Sequence, residues 1–293
     1  MPELPEVETM RRGILDAVGG RVEEVVRMPC PRKALTIEPR LDVIQRRTAG
    51  KYVRAVERLG KRVVVRLGDE PPSDTTSTAD DDALIFEPRM TGLVLVSDPP
   101  SVEHLRIELR LSGSRLTKIW YWDQRGLGHV LLLTAGELNK RLLAGQLGPD
   151  ALSIGADELR ERVGAYRRPI KVALLDQRLV AGIGNLYAAE ILHVARIHPE
   201  RPCDQLKPAE WKKLHAAMLA VLEEAVRYEG STLSDGTYRN VLNSAGGYQN
   251  HHRVYDREGQ RCPTCRKDDV VRIVQAQRST FFCPSCQRAA GSS

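Results

Sequence analysis

Near Gly136 the chain changes its hydrophobic period, and no other feature of the 293 residues constrains the fold as strongly. From Arg21 to about Leu133, "RVEEVVRM", "KYVRAVERL", "KRVVVRL", "ALIFEPRM", "GLVLVS", "HLRIELRL", "KIWYWD" and "HVLLLT" alternate or are β-branched, and they read as strands. Ahead of them Val7, Met10, Ile14 and Val18 follow helical spacing until Gly19-Gly20 stop the run. Beyond Gly136 the pattern is helical. "ADELRERVGAYRR", "IKVALLDQRLV", "LYAAEILHVARI" and the long "KPAEWKKLHAAMLAVLEEAVRYEG" follow in turn, the last begun by Pro208 and ended by Gly230. Its stripe of Trp211, Leu214, Met218, Val221, Leu222 and Ala225 predicts an ordinary core face. The length suits two domains. The expectation is an α+β chain with an antiparallel β-rich domain led by one helix (1–135), a hinge around "LGPDAL" (136–150), a helical domain (151–250) and a terminal module (251–293).

Charge narrows the partner. The segment 69–82, "DEPPSDTTSTADDD", carries six acids and no Lys or Arg, so a chain of net +6 holds +12 on its remainder. That balance suits a polyanion. The acidic segment reads as a solvated loop insertion that turns away from phosphate. Runs such as "RVVVRL" are too short to span a bilayer, and the acidic start lacks the apolar core of a secretory signal. No membrane partner and an intracellular, reducing compartment are expected.

Four of the six cysteines form CPTC (Cys262, Cys265) and, seventeen residues on, CPSC (Cys283, Cys286). This is the spacing of a two-knuckle zinc site. Four thiolates fill a tetrahedral shell, so one structural zinc ion is expected and no catalytic cofactor. The intervening "RKDDVVRIVQAQRSTFF" predicts a β-hairpin with Arg278 near its tip, well placed for phosphate. Cys30 and Cys203 read as small buried hydrophobes. The "AGIGN" turn between two apolar helical runs offers backbone N–H groups and a helix start near Asn185, a phosphate site that reads no sequence.

The opening MPELPEVETM allows two readings: first-turn helix chemistry, with Pro and acids at the positive end of the dipole, or an N-terminus that is itself a reagent. The order of motifs decides. "PELPEVET", "GKR", "PRMTG", "LGPDAL", "LVAGIGNLYAAEILHVARIHPERP", "VYDREGQRC" and "QRSTFFCPSCQ" resemble the formamidopyrimidine-DNA glycosylase/endonuclease VIII family along the full length.

The resemblance implies a two-lobed DNA repair enzyme, its N-terminal helix on a β-sandwich. A helix–two-turn–helix domain and a zinc-finger hairpin follow, with damaged double-stranded DNA bound between the lobes by a monomer. It implies base flipping, glycosidic cleavage and β,δ-elimination. Pro2, freed by loss of Met1, matches the nucleophile: an α-amine titrates near ~7.7–8 against ~10.4 for lysine, so far more of it is unprotonated at neutral pH. Glu3 matches the catalytic acid, and Glu6 a supporting carboxylate that orients the amine or the sugar. Its alternative, a first-turn acid, stays open, and Glu8 is expected at the helix surface. Lys61 matches a lysine at the phosphate beside the lesion. Asn185 and Arg278 match a phosphate clamp, with Arg278 among the catalytic set. Lys171 matches a further DNA-contacting lysine, and Glu190 a glutamate that holds the core of the site.

Met90 matches the first of three side chains that fill the hole left by flipping. The family's Asp-Pro-Arg-Arg-Phe-Gly loop reads "DQRGLG" here. Arg125 keeps the arginine for the orphaned base, whereas Leu127 replaces the aromatic wedge and Gly126 a basic residue. Base–aromatic stacking contributes ~1–3 kcal/mol, so duplex probing or the choice of opposite base is expected to differ. Gly246-Gly247 suggest a mobile loop before the zinc hairpin. Substrate alternatives are oxidised purines and formamidopyrimidines, or an endonuclease VIII-like preference for oxidised pyrimidines. A non-catalytic damaged-DNA-binding protein would have no need of Pro2, Glu3 and Lys61, and a zinc-ribbon RNA-binding protein would not explain the start motif.

Overall fold

The alternating segments do become strands. The computed structural model describes residues 2–73, 79–234 and 236–289. In chain order these form α1 (Leu4–Gly13), β1 (Arg21–Arg27), β2 (Thr36–Glu38), α2 (Leu41–Thr48), β3 (Tyr52–Leu59), β4 (Arg62–Gly68), β5 (Asp82–Glu87), β6 (Gly92–Leu95), β7 (Leu105–Ser112), β8 (Lys118–Asp123), β9 (His129–Leu133) and α3 (Ala135–Leu138). Then come α4 (Ala156–Gly164), α5 (Ile170–Leu174), α6 (Asn185–Ala195), α7 (Pro208–Arg227), β10 (Val271–Gln275) and β11 (Arg278–Phe282). Two compact units result. One runs through Ala144 and includes Tyr228–Gly247; the other holds Gly145–Arg227 and the chain from Tyr248.

In the first unit the strand order is β2-β9-β5-β4-β3-β1-β7-β8-β6. The ladder narrows where β1 meets β3 through a single pair, Arg21 opposite Tyr52, and there the sheet folds over. Val63, Val65, Leu84, Phe86 and Leu132 from one half share a buried core with Val22, Leu93, Ile107, Leu109 and Tyr121 from the other, and α1 adds Val7, Met10 and Ile14. This is the expected sandwich with its helix. Each fully buried aliphatic side chain is worth ~1.5–3 kcal/mol. The alternate residues Val64, Ile85, Leu131 and Leu133 face outward but pack beneath Leu138 of α3. Burial on both faces is why β4, β5 and β9 read as continuous apolar runs.

Four features differ from the sequence reading. β2 and α2 were not anticipated, and β2 pairs with β9 in parallel within an otherwise antiparallel sheet. The acidic insertion is not solvated at its end: Asp81 is buried against Arg54, and Asp82 pairs with Arg47 and Lys51. Its centre, 74–78, lies outside the described residues. The stretch 228–247, expected within the helical domain, packs on the sandwich through Tyr238 and Val241. Its suspected mobile glycines are bonded, Gly246 N–H to Thr232 Oγ1 and Gly247 N–H to the Tyr228 carbonyl, each at 2.8 Å.

In the second unit the α7 stripe is buried as expected, packing against α4 and α6. α6 is buried nearly all round, from Leu186 to His193, as suits a core helix. The run toward Val180 is helical only to Leu174, the end of α5. Gln177 interrupts it: its Oε1 accepts the Gly182 N–H at 3.0 Å and its Nε2 donates to the Ile183 carbonyl at 2.8 Å, making turns of what apolar spacing read as helix. The terminal hairpin forms on a two-residue turn, with Ala276 and Gln277 both left-handed at φ 46 and 62, as primed turns require.

Candidate active site

Pro2 and Glu3 are both buried at the head of α1, Glu3 with 4% of its surface exposed. Glu3 is the N-cap residue in extended conformation, and Glu6 sits three residues on, the spacing of a capping box. The Glu3 N–H donates to Glu6 Oε2 at 2.9 Å, and the Ser231 N–H donates to Glu6 Oε1 at 2.8 Å. The helix-start reading of Glu6 is the one these bonds show. Its carboxylate caps the helix, and it ties the residue beside Pro2 to the 228–247 segment.

Glu8 is not a surface residue. It is 6% exposed, and its oxygens accept from Arg11 at 2.8 and 3.0 Å, Arg12 at 2.8 Å and Arg58 at 3.1 Å. Burial opposes ionisation, but the hydrogen bonds from Arg11 and Arg12 and the charges of Arg11 and Arg58 outweigh it, holding the carboxyl at about 2. Arg58 also donates to the Gly60 carbonyl at 3.1 Å. One guanidinium thus links α1 to the β3–β4 turn that carries Lys61. Sequence alone could not single out Arg58, because its partners lie fifty residues apart.

Met90 stands 38% exposed in the turn between β5 and β6. In the β8–β9 turn Arg125 is exposed and Leu127 half-buried. Gly126 takes φ +61, and a Cβ there would lie 2.5 Å from the Lys33 carbonyl oxygen. A side chain at that position is excluded by the backbone beneath it, which accounts for the missing basic residue.

In the second unit Asn185 opens α6. Lys171, expected to meet DNA, is instead buried at 1% exposure. Its Nζ donates to Asn185 Oδ1 at 2.6 Å, Thr280 Oγ1 at 2.7 Å and the Ser279 carbonyl at 3.1 Å. Asn185 Nδ2 donates to the same Ser279 carbonyl at 3.0 Å. Arg278, exposed, is therefore the first residue of a strand fixed by Lys171 and Asn185 at Ser279 and Thr280. Glu190, fully buried, accepts the backbone N–H groups of Arg253, Val254 and Tyr255 at 2.9–3.1 Å. It fastens α6 to the entry of the terminal module.

The thiols of Cys262, Cys265, Cys283 and Cys286 lie within 4.8 Å of one another, with Cys262–Cys286 at 3.9 Å and Cys265–Cys283 at 3.6 Å. A tetrahedral ion with bonds of ~2.3 Å to sulfur sets such edges near ~3.8 Å, so the four residues fit one zinc. Backbone N–H groups of Asp268 and Lys267 bring the Cys265 thiol down to about 6, whereas burial pushes Cys283 up to about 11 and Cys286 higher still. Cys203 is buried as expected, whereas Cys30 is only half-buried. Among the described residues no helix is long and apolar enough to cross a membrane.

Three family models match in series: the formamidopyrimidine-DNA glycosylase N-terminal domain over residues 1–130, the formamidopyrimidine-DNA glycosylase H2TH domain over 147–237, and the zinc finger found in FPG and IleRS over 259–289. With the Pro2–Glu3 head, the Asn185 helix start and the four-cysteine hairpin, they define a DNA glycosylase of base excision repair. The formamidopyrimidine-DNA glycosylase of Chloroflexus aurantiacus is 39% identical over 98% of both chains, and that of Enterococcus faecalis 35% over 99% of both. The crystal structure of MutM (Fpg) from Thermus thermophilus matches with TM-score 0.80 at 35% identity over 98% of both chains. A Lactococcus lactis Fpg variant in complex with Fapy-dG-containing DNA matches with TM-score 0.82 at 31% identity, over 98% of this chain and 100% of that one. The chain belongs to the formamidopyrimidine-DNA glycosylase family.

Proposed function

We propose that the chain is a bifunctional glycosylase/AP lyase that removes oxidised bases, formamidopyrimidines foremost, from double-stranded DNA through the amine of Pro2. The names of the relatives favour this substrate over oxidised pyrimidines. Once Met1 is removed, the Pro2 nitrogen attacks C1′ of the flipped nucleotide. The glycosidic bond breaks with its electron pair on the departing base, which takes up a proton. The amine loses its proton, Glu3 protonates O4′, and the ring bond opens as C1′ and the Pro2 nitrogen become an iminium. That cation acidifies C2′. Loss of a C2′ proton expels the 3′-phosphate, and a second elimination expels the 5′-phosphate.

Lys61 contacts the neighbouring phosphate and assists elimination. Asn185 and Arg278 grip the backbone around the flipped nucleotide, and Lys171 acts through Asn185. Arg125 hydrogen-bonds the orphaned base while Met90 and Leu127 fill the gap. Cys262, Cys265, Cys283 and Cys286 hold one structural zinc that rigidifies the hairpin. The protein works as a cytoplasmic monomer.

The observation that carries this reading is the head of α1. A buried glutamate stands beside a buried proline, and a second carboxylate, Glu6, fixes the backbone between them. Borohydride reduction in the presence of abasic duplex tests it. A covalent adduct mapping to Pro2 is expected, and none when Pro2→Gly is made behind an added N-terminal residue. Robust trapping by that blocked variant would overturn the amine assignment.

A further inference from the structure

The two turns proposed to enter the duplex, one bearing Met90 and the other Arg125 and Leu127, are built on a single buried carboxylate. Asp123 ends β8 with none of its surface exposed. Its Oδ1 accepts the Thr91 hydroxyl and the Arg125 N–H, the latter at 3.1 Å, and its Oδ2 accepts the Gly128 N–H at 2.8 Å. Thr91, 5% exposed and next to Met90, uses the same hydroxyl oxygen to accept the Arg125 N–H at 3.0 Å. From the Met90 turn, the hydroxyl thus donates to the end of β8 and accepts from the turn that follows it.

Packing repeats the link. Tyr121, on β8 and fully buried, places its hydroxyl 2.4 Å from where a Cβ would stand on Gly92 and 1.9 Å from where one would stand on Gly128. Each turn therefore ends in a glycine because the same phenol occupies both side-chain positions. Below, Arg106 donates to the Asp123 carbonyl at 2.8 Å and to the Lys33 carbonyl at 2.7 Å, closing the floor under Gly126. Arg89 is held left-handed at φ 53, and the Gly92 N–H closes its turn on the Pro88 carbonyl at 2.8 Å. A non-glycine residue persists there only where its surroundings over-determine it.

We infer that Asp123 and Thr91 are positioning residues that make Met90, Arg125 and Leu127 one rigid wedge, formed before DNA arrives. The inference rests on the proposed glycosylase/lyase reading. A preformed wedge offsets the smaller stacking area of Leu127, because no ordering entropy is lost when it enters the duplex. Neither residue touches a reacting atom. Their effect falls on substrates that must be unstacked and is absent where the abasic nucleotide is already single-stranded.

The test compares, within each protein preparation, the single-turnover cleavage rate on an abasic duplex with that on the same strand alone. The ratio is independent of the fraction folded. Thr91→Val, which removes the hydroxyl but keeps the shape, is expected to lower the ratio about tenfold, and Thr91→Ser to restore it. In a Met90→Ala, Arg125→Ala, Leu127→Ala background Thr91→Val should have no further effect, which a merely structural role would not predict. An unchanged ratio for Thr91→Val, with the wild type cleaving both substrates, would overturn the inference. Failure of the wild type to cleave or trap either substrate would instead overturn the reading beneath it. Asp123→Asn supplies a second variant: it keeps one acceptor oxygen but turns an amide NH2 donor toward an N–H or hydroxyl, and should fall at least as far as Thr91→Val.

Discussion

The head of the first unit and the Lys171 cluster of the second both immobilise a polar group, by opposite means. Around α1, charge is met with charge: Glu8 lies among three arginines, and one of them, Arg58, reaches the Lys61 turn. In the second unit a buried ammonium, Lys171, meets the neutral oxygens of Asn185, Ser279 and Thr280, and the strand it grips leads into the cysteine cluster. An ion cluster on regular elements tolerates the loss of one partner better than a buried lysine does, since Arg12 is exposed, Arg11 partly so, and Arg58 keeps the Gly60 carbonyl. A buried cation stripped of its acceptors keeps the full desolvation penalty.

Metal removal should break this contrast most sharply. Structural zinc contributes ~10–16 kcal/mol in isolated fingers. Chelation is expected to release one zinc per chain and abolish duplex binding in an anisotropy assay, while thermal unfolding of the sandwich stays in place. Retained binding by demetallated protein would refute the role of the hairpin. Next comes Lys171→Met, which fills the space but cuts three hydrogen bonds. Duplex affinity should fall by ~10–100-fold, with no rescue by Lys171→Arg, because a guanidinium has no room at a site 1% exposed.

Glu8→Gln probes the charged side. Glu8 titrates at about 2 instead of its ordinary 4.5, so its charge stabilises the folded state. The contribution is fully present above pH 4.5 and is lost as pH falls toward 2; at neutral pH it amounts to about 3 kcal/mol at most. Denaturant unfolding should show the variant destabilised at pH 7 and level with the wild type near pH 2. A gap independent of pH would place its effect outside ionisation. Smallest is Leu127→Phe, a gain of stacking worth ~1 kcal/mol, read as about fivefold tighter binding to an abasic duplex. No gain would mean that the turn already fills the gap.

Much of the architecture was legible locally. Eight strand segments, the leading helix, the α7 stripe and the zinc hairpin follow from period, glycine stops and cysteine spacing, all properties of near neighbours. β2 and α2 were missed because each is short, and because β2 exists only through its parallel pairing with β9, ninety residues away. The motifs placed Pro2, Glu3, Lys61, Asn185 and Arg278 on the page. They could not show that Lys171 is buried, that Glu8 draws in Arg58 besides its helix neighbours, or that Asp123 also holds Thr91, since each fact depends on a partner distant in sequence.

Sequence by itself determined the elements, the family and which residue types are present for the chemistry, because periodicity, capping and metal-ligand spacing act over a few residues. Tertiary structure alone decided which carboxylates and cations are removed from water and what they then hold. Glu6 reached Ser231, Arg58 reached both Glu8 and Gly60, and Lys171 reached Thr280 only when folding brought them within hydrogen-bond distance. Burial at those places turns an ordinary charge into a fixed support.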